Sequence, residues 1–327
     1  MYMKQLQTEY RGILLSTIIG LISYFSSVLI PGALNSILMA LLAGMVVGNV
    51  IKIPENFQSG IGFTSSKLLE LSILFLAFSI NYTHIAQIGV MSFSIIAIMI
   101  VLVLLFTYYL SIKVKCPGTT GWLVGFGTAI CGSSAIAALS PSITKNKDDV
   151  GIAMAVVNLF GSIGMIVMPL VLVKMNLSTT QMGLLLGGTL HSVGNVAGSG
   201  YTISNEVGEA AITIKLARVA LLSPALIFFN YLVNKDNVKN WKEHFRLPWY
   251  LWSFIGITIL TSFIHFPDTF IGIMDTAGKI ILTIAMAAIG LKVSFKKLYQ
   301  SGRKGILFGL IVFVVEILIV GGLMMFV

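Results

Sequence analysis

Long apolar stretches alternate with short polar segments along almost the whole chain. Residues 87–111 and 151–173 contain no charged residue, and each is long enough to cross the ~30 Å hydrocarbon layer of a bilayer as a helix. No connection is long enough to hold a soluble domain. We therefore predict an all-α, polytopic transmembrane helical bundle that forms a single transporter domain over 1–327. The predicted spans are about eleven: 12–30, 33–51, 63–81, 87–111, 118–141, 150–173, 180–200, 208–233, 248–266, 272–291 and 305–326.

The composition agrees with a membrane protein. Hydrophobic residues make up 57% of the 327 residues and charged residues only 10%, whereas roughly a quarter of a soluble domain is charged. The net charge of +9 does not indicate a nucleic-acid partner, because the basic residues lie in short loops beside the lipid bilayer. Two cysteines, Cys116 and Cys131, do not suggest a disulfide framework. The first apolar run lacks a small-residue cleavage site, which predicts an uncleaved span.

The basic residues are distributed unequally between alternate loops. With the N-terminus in the cytoplasm, most of the 21 Lys and Arg residues fall in inside segments, and the outside segments carry only Lys145 and Lys147. Cytoplasmic loops of membrane proteins carry such an excess. An odd number of spans then places the C-terminus outside. The predicted localisation is the cell membrane, inner or plasma, with several passes.

A weak internal repeat relates 54–89 to 267–302, each of which begins at a proline. The two segments lie an odd number of predicted spans apart, so the two copies would face opposite ways. Inverted repeats of this kind are typical of secondary transporters. The repeat predicts two similar halves, at approximately 33–173 and 180–326.

The apolar pattern is interrupted at 127–141, which reads GTAICGSSAIAALSP. Non-helical backbone at membrane depth is tolerated only where it is buried in protein or lines a cavity. A break near Cys131 and Gly132 would make the helix discontinuous and leave Ser133 and Ser134 at the start of a half-helix. Free N–H groups and the positive dipole end at such a start favour an anion. The alternative is that these small residues only let helices pack closely.

A second interruption at 183–201 reads GLLLGGTLHSVGNVAGSGY, with His191 and Asn195 among closely spaced glycines. The two interruptions align so that Gly132 pairs with Gly194. A histidine on an apolar helix is either a packing residue or a ligand, and this segment either spans the membrane or re-enters it.

Charged residues form the third element of the predicted site. Lys215 and Arg218 are three residues apart and share a helix face. An ionisable residue at membrane depth is a functional candidate by default. The alternatives are that Lys215 reaches the interface with its long side chain, or that the cations pair with Glu70 or Glu316. These two glutamates are either counter-ions or proton carriers for coupling.

Hydrogen-bond donors and cations near the midplane favour a small anion such as sulfate, a sulfonate or an organic acid. We predict a secondary transporter that exports or exchanges this anion by alternating access. No bound cofactor or metal is predicted, and coupling to H⁺ or Na⁺ is open. The predicted substrate-binding residues are Cys131, Gly132, Ser133, Ser134, His191, Asn195, Lys215 and Arg218.

Two other functions compete with transport. An intramembrane enzyme could use Cys131, or Ser133 in its place, as nucleophile and His191 as base, although an HExxH motif is absent and we expect no enzyme. A passive anion channel is the second alternative. A phosphate-binding GxxxxGK[ST] loop is also absent, so nothing in this sequence supports ATP-driven transport.

The GxxxG at Gly44 and Gly48 can join subunits of a homo-oligomer or pack helices within one chain.

Several stretches resemble the bacterial YeiH-type membrane proteins, a family named for sulfate export. The resemblance implies a multi-pass transporter of small anionic solutes, distantly like the bile-acid symporter type of fold with its broken crossing helices. Family members often carry an acidic residue directly after the motif histidine, where this chain has Ser192, and this departure argues against proton coupling at that position. The similar stretches are FGTAICGSSAIAALSP at 126–141, KNKDDVGIAMAVVNLFG at 145–161, GGTLHSVGNVAGSG at 187–200 and KLARVALLSPA at 215–225, and AIGLKVSFKKL at 288–298 is similar to a helix-end signature of the wider group.

Overall fold

A computed structural model describes residues 2–29, 35–79, 82–114, 118–144, 146–233, 249–264, 266–293 and 303–326. These residues are helical almost throughout, and no strand occurs among them, which confirms the all-α prediction for this part of the chain. Four helices in the described ranges are long and apolar enough to cross a membrane, at Ser92–Lys113, Asp149–Leu172, Asp268–Lys292 and Gly305–Phe326. The larger total of eleven spans stays a prediction.

The helices follow one another with short connections. In chain order they are α1 (Tyr2–Leu29), α2 (Ser36–Val50), α3 (Glu55–Phe63), α4 (Leu69–Leu76), α5 (Tyr82–Val114), α6 (Gly118–Ala129), α7 (Ser133–Ile143), α8 (Lys147–Leu172), α9 (Thr179–Thr189), α10 (Val193–Ile203), α11 (Asn205–Ala220), α12 (Leu222–Val233), α13 (Trp249–Phe263), α14 (Asp268–Lys292) and α15 (Arg303–Leu323).

The chain divides into two compact units. The first comprises Met1–Ile85 and Trp249–Phe295, and the second comprises Ala86–Pro248 and Lys296–Val327. Each unit combines residues from both predicted halves. The inverted repeat and the single transporter domain stay predictions.

In the first unit, the segments aligned by the predicted repeat begin alike. α3 follows Pro54 and α14 follows Pro267. Each then starts with an acidic residue, Glu55 or Asp268, which interacts favourably with the positive end of a helix. α3 continues through a π-helical turn, Thr64–Leu68, into α4, so the segment remains helical over a length similar to that of α14.

The GxxxG motif of α2 packs against α14 in the same unit. A Cβ atom on Gly44 would lie 2.3 Å from the carbonyl oxygen of Ala287, and one on Gly48 would lie 2.7 Å from that of Leu291. A Cβ on Gly290 would in turn lie 2.3 Å from the carbonyl oxygen of Leu41. The motif thus brings two backbones together within one chain, as small residues do in membrane helices.

Substitution of Gly44 by alanine is expected to destabilise the first unit. The added methyl group would meet backbone rather than a flexible side chain, and overpacking of this kind lowers stability by about 1–3 kcal/mol. Gly256→Ala is the matched control, because nothing lies within 4 Å of a Cβ built there, and it should be neutral or stabilising by up to about 1 kcal/mol. Thermal unfolding of the purified variants in detergent measures both, and equal stability of the two would contradict this packing.

In the second unit, glycines bring the helices of the candidate site close together. A Cβ on Gly187 of α9 would lie 2.5 Å from the carbonyl oxygen of Ala211 on α11, and one on Gly309 of α15 would lie 2.2 Å from a methyl carbon of Val156 on α8. α8 also packs against α6 and α10. These approaches set α11 against the end of α9 and α15 against α8.

Candidate substrate site at two broken helices

The first interruption is a break between α6 and α7. α6 ends at Ala129 and α7 begins at Ser133. Gly132 caps the start of α7 with φ of 74° and ψ of −135°, a backbone conformation that residues with a Cβ atom avoid. The predicted break near Cys131 and Gly132, with Ser133 and Ser134 at the start of the second half-helix, is therefore confirmed.

The second interruption separates α9 from α10 at residues 190–192. Ser192 is the N-cap of α10, and its hydroxyl accepts the N–H of Asn195 at 3.1 Å. The N-caps of the two breaks are thus Gly132 and Ser192. The sequence alignment, which paired Gly132 with Gly194, is displaced by two residues from this pairing of the caps. It matched glycine to glycine, whereas the second cap is a serine.

The two breaks meet in the interior of the unit. A Cβ on Gly132 would lie 3.3 Å from the carbonyl oxygen of His191. Lys215 of α11 donates from Nζ to the carbonyl oxygens of Ile130, at 2.6 Å, and Leu190, at 2.7 Å. One fully buried ammonium group therefore binds one carbonyl from each break.

Arg218, one turn further along α11, binds the carbonyl ends of both half-helices. Its Nε donates to the carbonyl oxygen of Ala129 at 2.7 Å, and its Nη1 donates to that of Gly188 at 2.6 Å. Its Nη2 donates to the carbonyl oxygen of Thr128 and to the carboxylate of Glu316. The last carbonyls of a helix have no partner within it, so this guanidinium supplies donors that α6 and α9 lack.

The two cations lie at the negative ends of the α6 and α9 dipoles, where positive charge is favourable. Lys215 and Arg218 do not compensate the positive dipole ends, which lie at the starts of α7 and α10. Direct contact of Lys215 and Arg218 with a substrate stays a prediction, and the contacts described here are with backbone carbonyls and Glu316.

Glu316 on α15 is fully buried beside Arg218. The pairing of these two residues, one of the alternatives from the sequence, is confirmed. Oε2 of Glu316 lies 3.7 Å from Nε2 of His191. The other ring nitrogen of His191, Nδ1, lies 2.8 Å from the carbonyl oxygen of Val157, and a carbonyl only accepts, so Nδ1 carries the hydrogen.

Glu70 does not belong to this cluster. It lies in the first unit, where its Oε2 accepts from Lys67 at 3.0 Å and from Nε1 of Trp249 at 2.7 Å. Its predicted role in coupling stays a prediction.

The start of α7 carries polar groups that reach the surface of the unit. Ser133 donates from Oγ to Oδ1 of Asn158 at 2.7 Å, and Ser134 donates to the carbonyl oxygen of Cys131 at 3.1 Å. Ser134 and Asn158 are exposed, whereas Cys131 is buried. Gly132 offers no side chain to cap the helix. The first N–H groups of α7 therefore lie next to hydroxyl and amide groups.

α8 supports both breaks and was missed as a site element. It supplies Asn158 to Ser133 and the carbonyl of Val157 to His191. A Cβ on Gly161 would lie 2.3 Å from Nδ2 of Asn195, so this glycine makes room for the amide group. The signal in the sequence was a single amide, Asn158, within the uncharged stretch 151–173.

Comparison with known proteins places this arrangement in a family. The family described as Conserved hypothetical protein 698 matches residues 11–309. The chain belongs to this family. The matched residues of this chain include both breaks and α11, and they end before Glu316.

The relatives of this family member are named as membrane proteins. The UPF0324 inner membrane protein YeiH of Escherichia coli is 31% identical over 295 residues, which are 88% of this chain and 84% of that protein. UPF0324 membrane proteins of Helicobacter hepaticus and Clostridium perfringens are 30% and 32% identical, over 93% and 97% of this chain and 93% and 95% of theirs. The YeiH-type resemblance is thus confirmed, and the family member is a membrane protein.

Among solved structures, the sodium proton antiporter MjNhaP1 from Methanocaldococcus jannaschii aligns with 94% of this chain and 99% of its own, at 13% identity and a TM-score of 0.27. At this TM-score the likeness carries no argument about the family member.

The structure brings most of the predicted site residues together in the second unit, as far as the chain is described. That they bind a substrate stays a prediction. The assembled residues are Cys131, Gly132, Ser133, Ser134, His191, Asn195, Lys215, Arg218 and Glu316.

Proposed function

We propose that this membrane protein is a secondary transporter that exports or exchanges a small anion, such as sulfate, a sulfonate or an organic acid, by alternating access. The observation that carries the proposal is the meeting of two half-helix breaks whose carbonyl ends are bound by Lys215 and Arg218. Their N-terminal ends are left to attract negative charge. The anion would bind at the start of α7.

The electrostatics of the cluster favour an anion over a cation. Lys215 and Arg218 are two buried basic groups, and Glu316 is one buried acidic group bound to Arg218. The side chains at the start of α7, Ser133 and Ser134, and the neighbouring Asn158 are neutral donors and acceptors. Discontinuous helices with such termini near the midplane are a recurring substrate site of secondary transporters.

The contacts of His191 argue against the enzyme alternative. A nucleophilic Cys131 needs a base within hydrogen-bond reach. Nδ1 of His191 is bound to the Val157 carbonyl and Nε2 faces Glu316, while the sulfur of Cys131 accepts from Ser134 at 3.0 Å. Neither ring nitrogen of His191 is hydrogen-bonded to the thiol, and transport is the better proposal.

The substrate class is tested by thermal unfolding of the purified protein in detergent with sulfate, taurine, sulfite, thiosulfate, phosphate, small carboxylates and bile acids. A ligand at 100 times its Kd stabilises the native state by about 2.7 kcal/mol. We expect a shift with one class of anions. No shift with any of them would contradict the anion proposal.

Two substitutions at Ser133 separate its hydroxyl from its backbone N–H. Ser133→Ala removes the hydroxyl alone, and we expect about tenfold weaker anion binding for the loss of one hydrogen bond. Ser133→Pro also removes the N–H at the first helical position, where proline is tolerated, and should weaken binding by about tenfold more because bonds to a charged group are stronger.

Thr179→Pro is the matched control for the proline, since Thr179 is the first residue of α9 and is exposed. It should leave the affinity unchanged. Equal affinities for Ser133→Ala and Ser133→Pro would show that the N–H of residue 133 does not bind the anion. Flux of the bound anion into proteoliposomes then distinguishes a transporter, whose exchange saturates, from a channel.

A further inference from the structure

Two buried polar atoms in the second unit face each other without a hydrogen bond. Nε2 of His191 and Oε2 of Glu316 are inaccessible to solvent, and neither has a partner among the described residues. They are 3.7 Å apart, which is too long for a hydrogen bond. Buried polar groups are nearly always paired, so a pair of this kind requires an explanation.

The tautomer of His191 gives the explanation. Nδ1 carries a hydrogen because it donates to the carbonyl oxygen of Val157, so in the neutral imidazole Nε2 is an acceptor. An ionised Glu316 also only accepts. Two acceptors cannot bond to each other. A single added proton turns one of them into a donor, and an approach of about 0.5 Å then brings the two atoms within hydrogen-bond distance.

We propose that Nε2 of His191 and Oε2 of Glu316 hold one exchangeable proton between them, and that this proton is the coupling ion of the transporter. The statement that this proton is the coupling ion rests on the proposed anion transport. The proton site itself rests only on the geometry of the two side chains.

The groups around the pair favour a proton over an alkali cation. Sodium needs several oxygen ligands, as other hard cations do, but Lys215 already binds the carbonyl oxygens of Ile130 and Leu190. Arg218 binds those of Ala129 and Gly188 at the adjoining helix ends. No group of three His, Cys, Asp or Glu residues that could hold a metal occurs in the described ranges.

The other titratable groups near α15 can be enumerated. Arg218 binds Oε1 of Glu316, Lys215 binds the adjoining carbonyls, and the Cys131 thiol is bound by Ser134. Of the helices packed against α15, α6 and α9 have no ionisable side chain. On α8 and α15 the remaining ionisable residues lie at the helix start: Lys147, Asp148, Asp149, Arg303 and Lys304.

The backbone of His191 adjoins Gly132, the cap of α7, since a Cβ built on Gly132 would lie 3.3 Å from the His191 carbonyl oxygen. Protonation of the pair therefore adds one positive charge on a residue next to the start of α7. An anion at that helix start and a proton on the pair therefore favour each other's binding, and this coupling is reciprocal. We expect the anion to draw in a proton, and its affinity to rise by up to about tenfold for each unit of decreasing pH in the titrating range.

The proton site is tested first without any anion. Infrared difference spectra of the purified protein at varied pH should contain a carboxyl band if the proton is on Glu316, or an imidazolium band if it is on His191, and this band should be lost or shifted in both Glu316→Gln and His191→Asn. In His191→Asn, the side-chain amide can replace Nδ1 as a donor to the Val157 carbonyl, and no counterpart of Nε2 remains. Glu70→Gln, in the first unit, should leave the band unchanged. A band that is unchanged in both variants, or wild-type spectra with neither a carboxyl nor an imidazolium band that depends on pH, would overturn the proton site.

Coupling is tested by adding sulfate or taurine to weakly buffered protein with a pH-indicating dye. We expect uptake of a proton by the wild type and none by His191→Asn. The His191→Asn variant therefore tests the coupling even if Glu316→Gln does not fold. Anion binding without proton uptake would overturn the coupling. Absence of a thermal shift with either anion at any pH would overturn the proposed substrate class, and the infrared result would still decide the proton site.

Discussion

Replacement of Glu316 by leucine is expected to lower the free energy of unfolding by about 3–5 kcal/mol, the range found when one partner of a buried ion pair is removed. Both Glu316 and Arg218 are fully buried, so the guanidinium would remain in the interior without its carboxylate. The same substitution in an Arg218→Met background should have a much smaller effect. The difference is a coupling energy near the upper end of roughly 0.5–3 kcal/mol, measured by unfolding of the four proteins in detergent.

Glu70→Leu is the control for this cycle, because Glu70 pairs with Lys67, whose side chain is 52% exposed. An ion pair of this kind contributes at most about 1 kcal/mol. If Glu316→Leu were no more destabilising than Glu70→Leu, the Arg218 charge would have to be compensated by something other than Glu316.

The second large effect is expected at Gly132. Gly132→Ala should destabilise the protein by about 1–3 kcal/mol, the range for a residue forced into a rarely populated backbone conformation, because φ is 74° and ψ is −135° at this position. The new Cβ would also press on the carbonyl oxygen of His191 at 3.3 Å. Relief of this strain turns the first N–H groups of α7, so anion affinity should fall by at least about tenfold, as for the loss of one bond to a charged group.

Thermal unfolding and anion titration of Gly132→Ala measure the two effects. Gly151→Ala provides the comparison, since a Cβ at Gly151 meets nothing within 4 Å and its helix favours alanine by up to about 1 kcal/mol. A Gly132→Ala protein with the stability and affinity of Gly151→Ala would mean that the break does not need this glycine.

The sequence predicted the breaks better than it predicted the helices around them. Average hydropathy reads 118–141 and 180–200 as one span each, because both halves of each segment are apolar. The structure has four half-helices there, α6, α7, α9 and α10, of 11 or 12 residues, which is well short of the ~20 residues that cross a bilayer. The runs of small residues around Gly132 and His191 indicated the two breaks, and an average of hydropathy over a whole span does not detect them.

The site was predictable as a set of residues but not as a set of contacts. Lys215, Arg218 and Glu316 stand out because charge is rare in apolar spans. Their partners are backbone carbonyls from helix ends that lie far away in the sequence, and only the crossing of the two breaks brings these ends to α11. Asn158 was missed for the same reason, since a lone amide gives no hint of which helix start it meets.

The bracing of both breaks by Lys215 and Arg218 also has a mechanical consequence. Moving α6 and α7 away from α9 and α10 would strip carbonyl acceptors from two buried cations at once, and a buried charge that loses its partners is strongly unfavourable. Under the proposed alternating access, a motion that opens the site first to one side of the membrane and then to the other has to carry the ends of α6 and α9 together with α11 as one rigid piece. Bending is then confined to segments outside this piece.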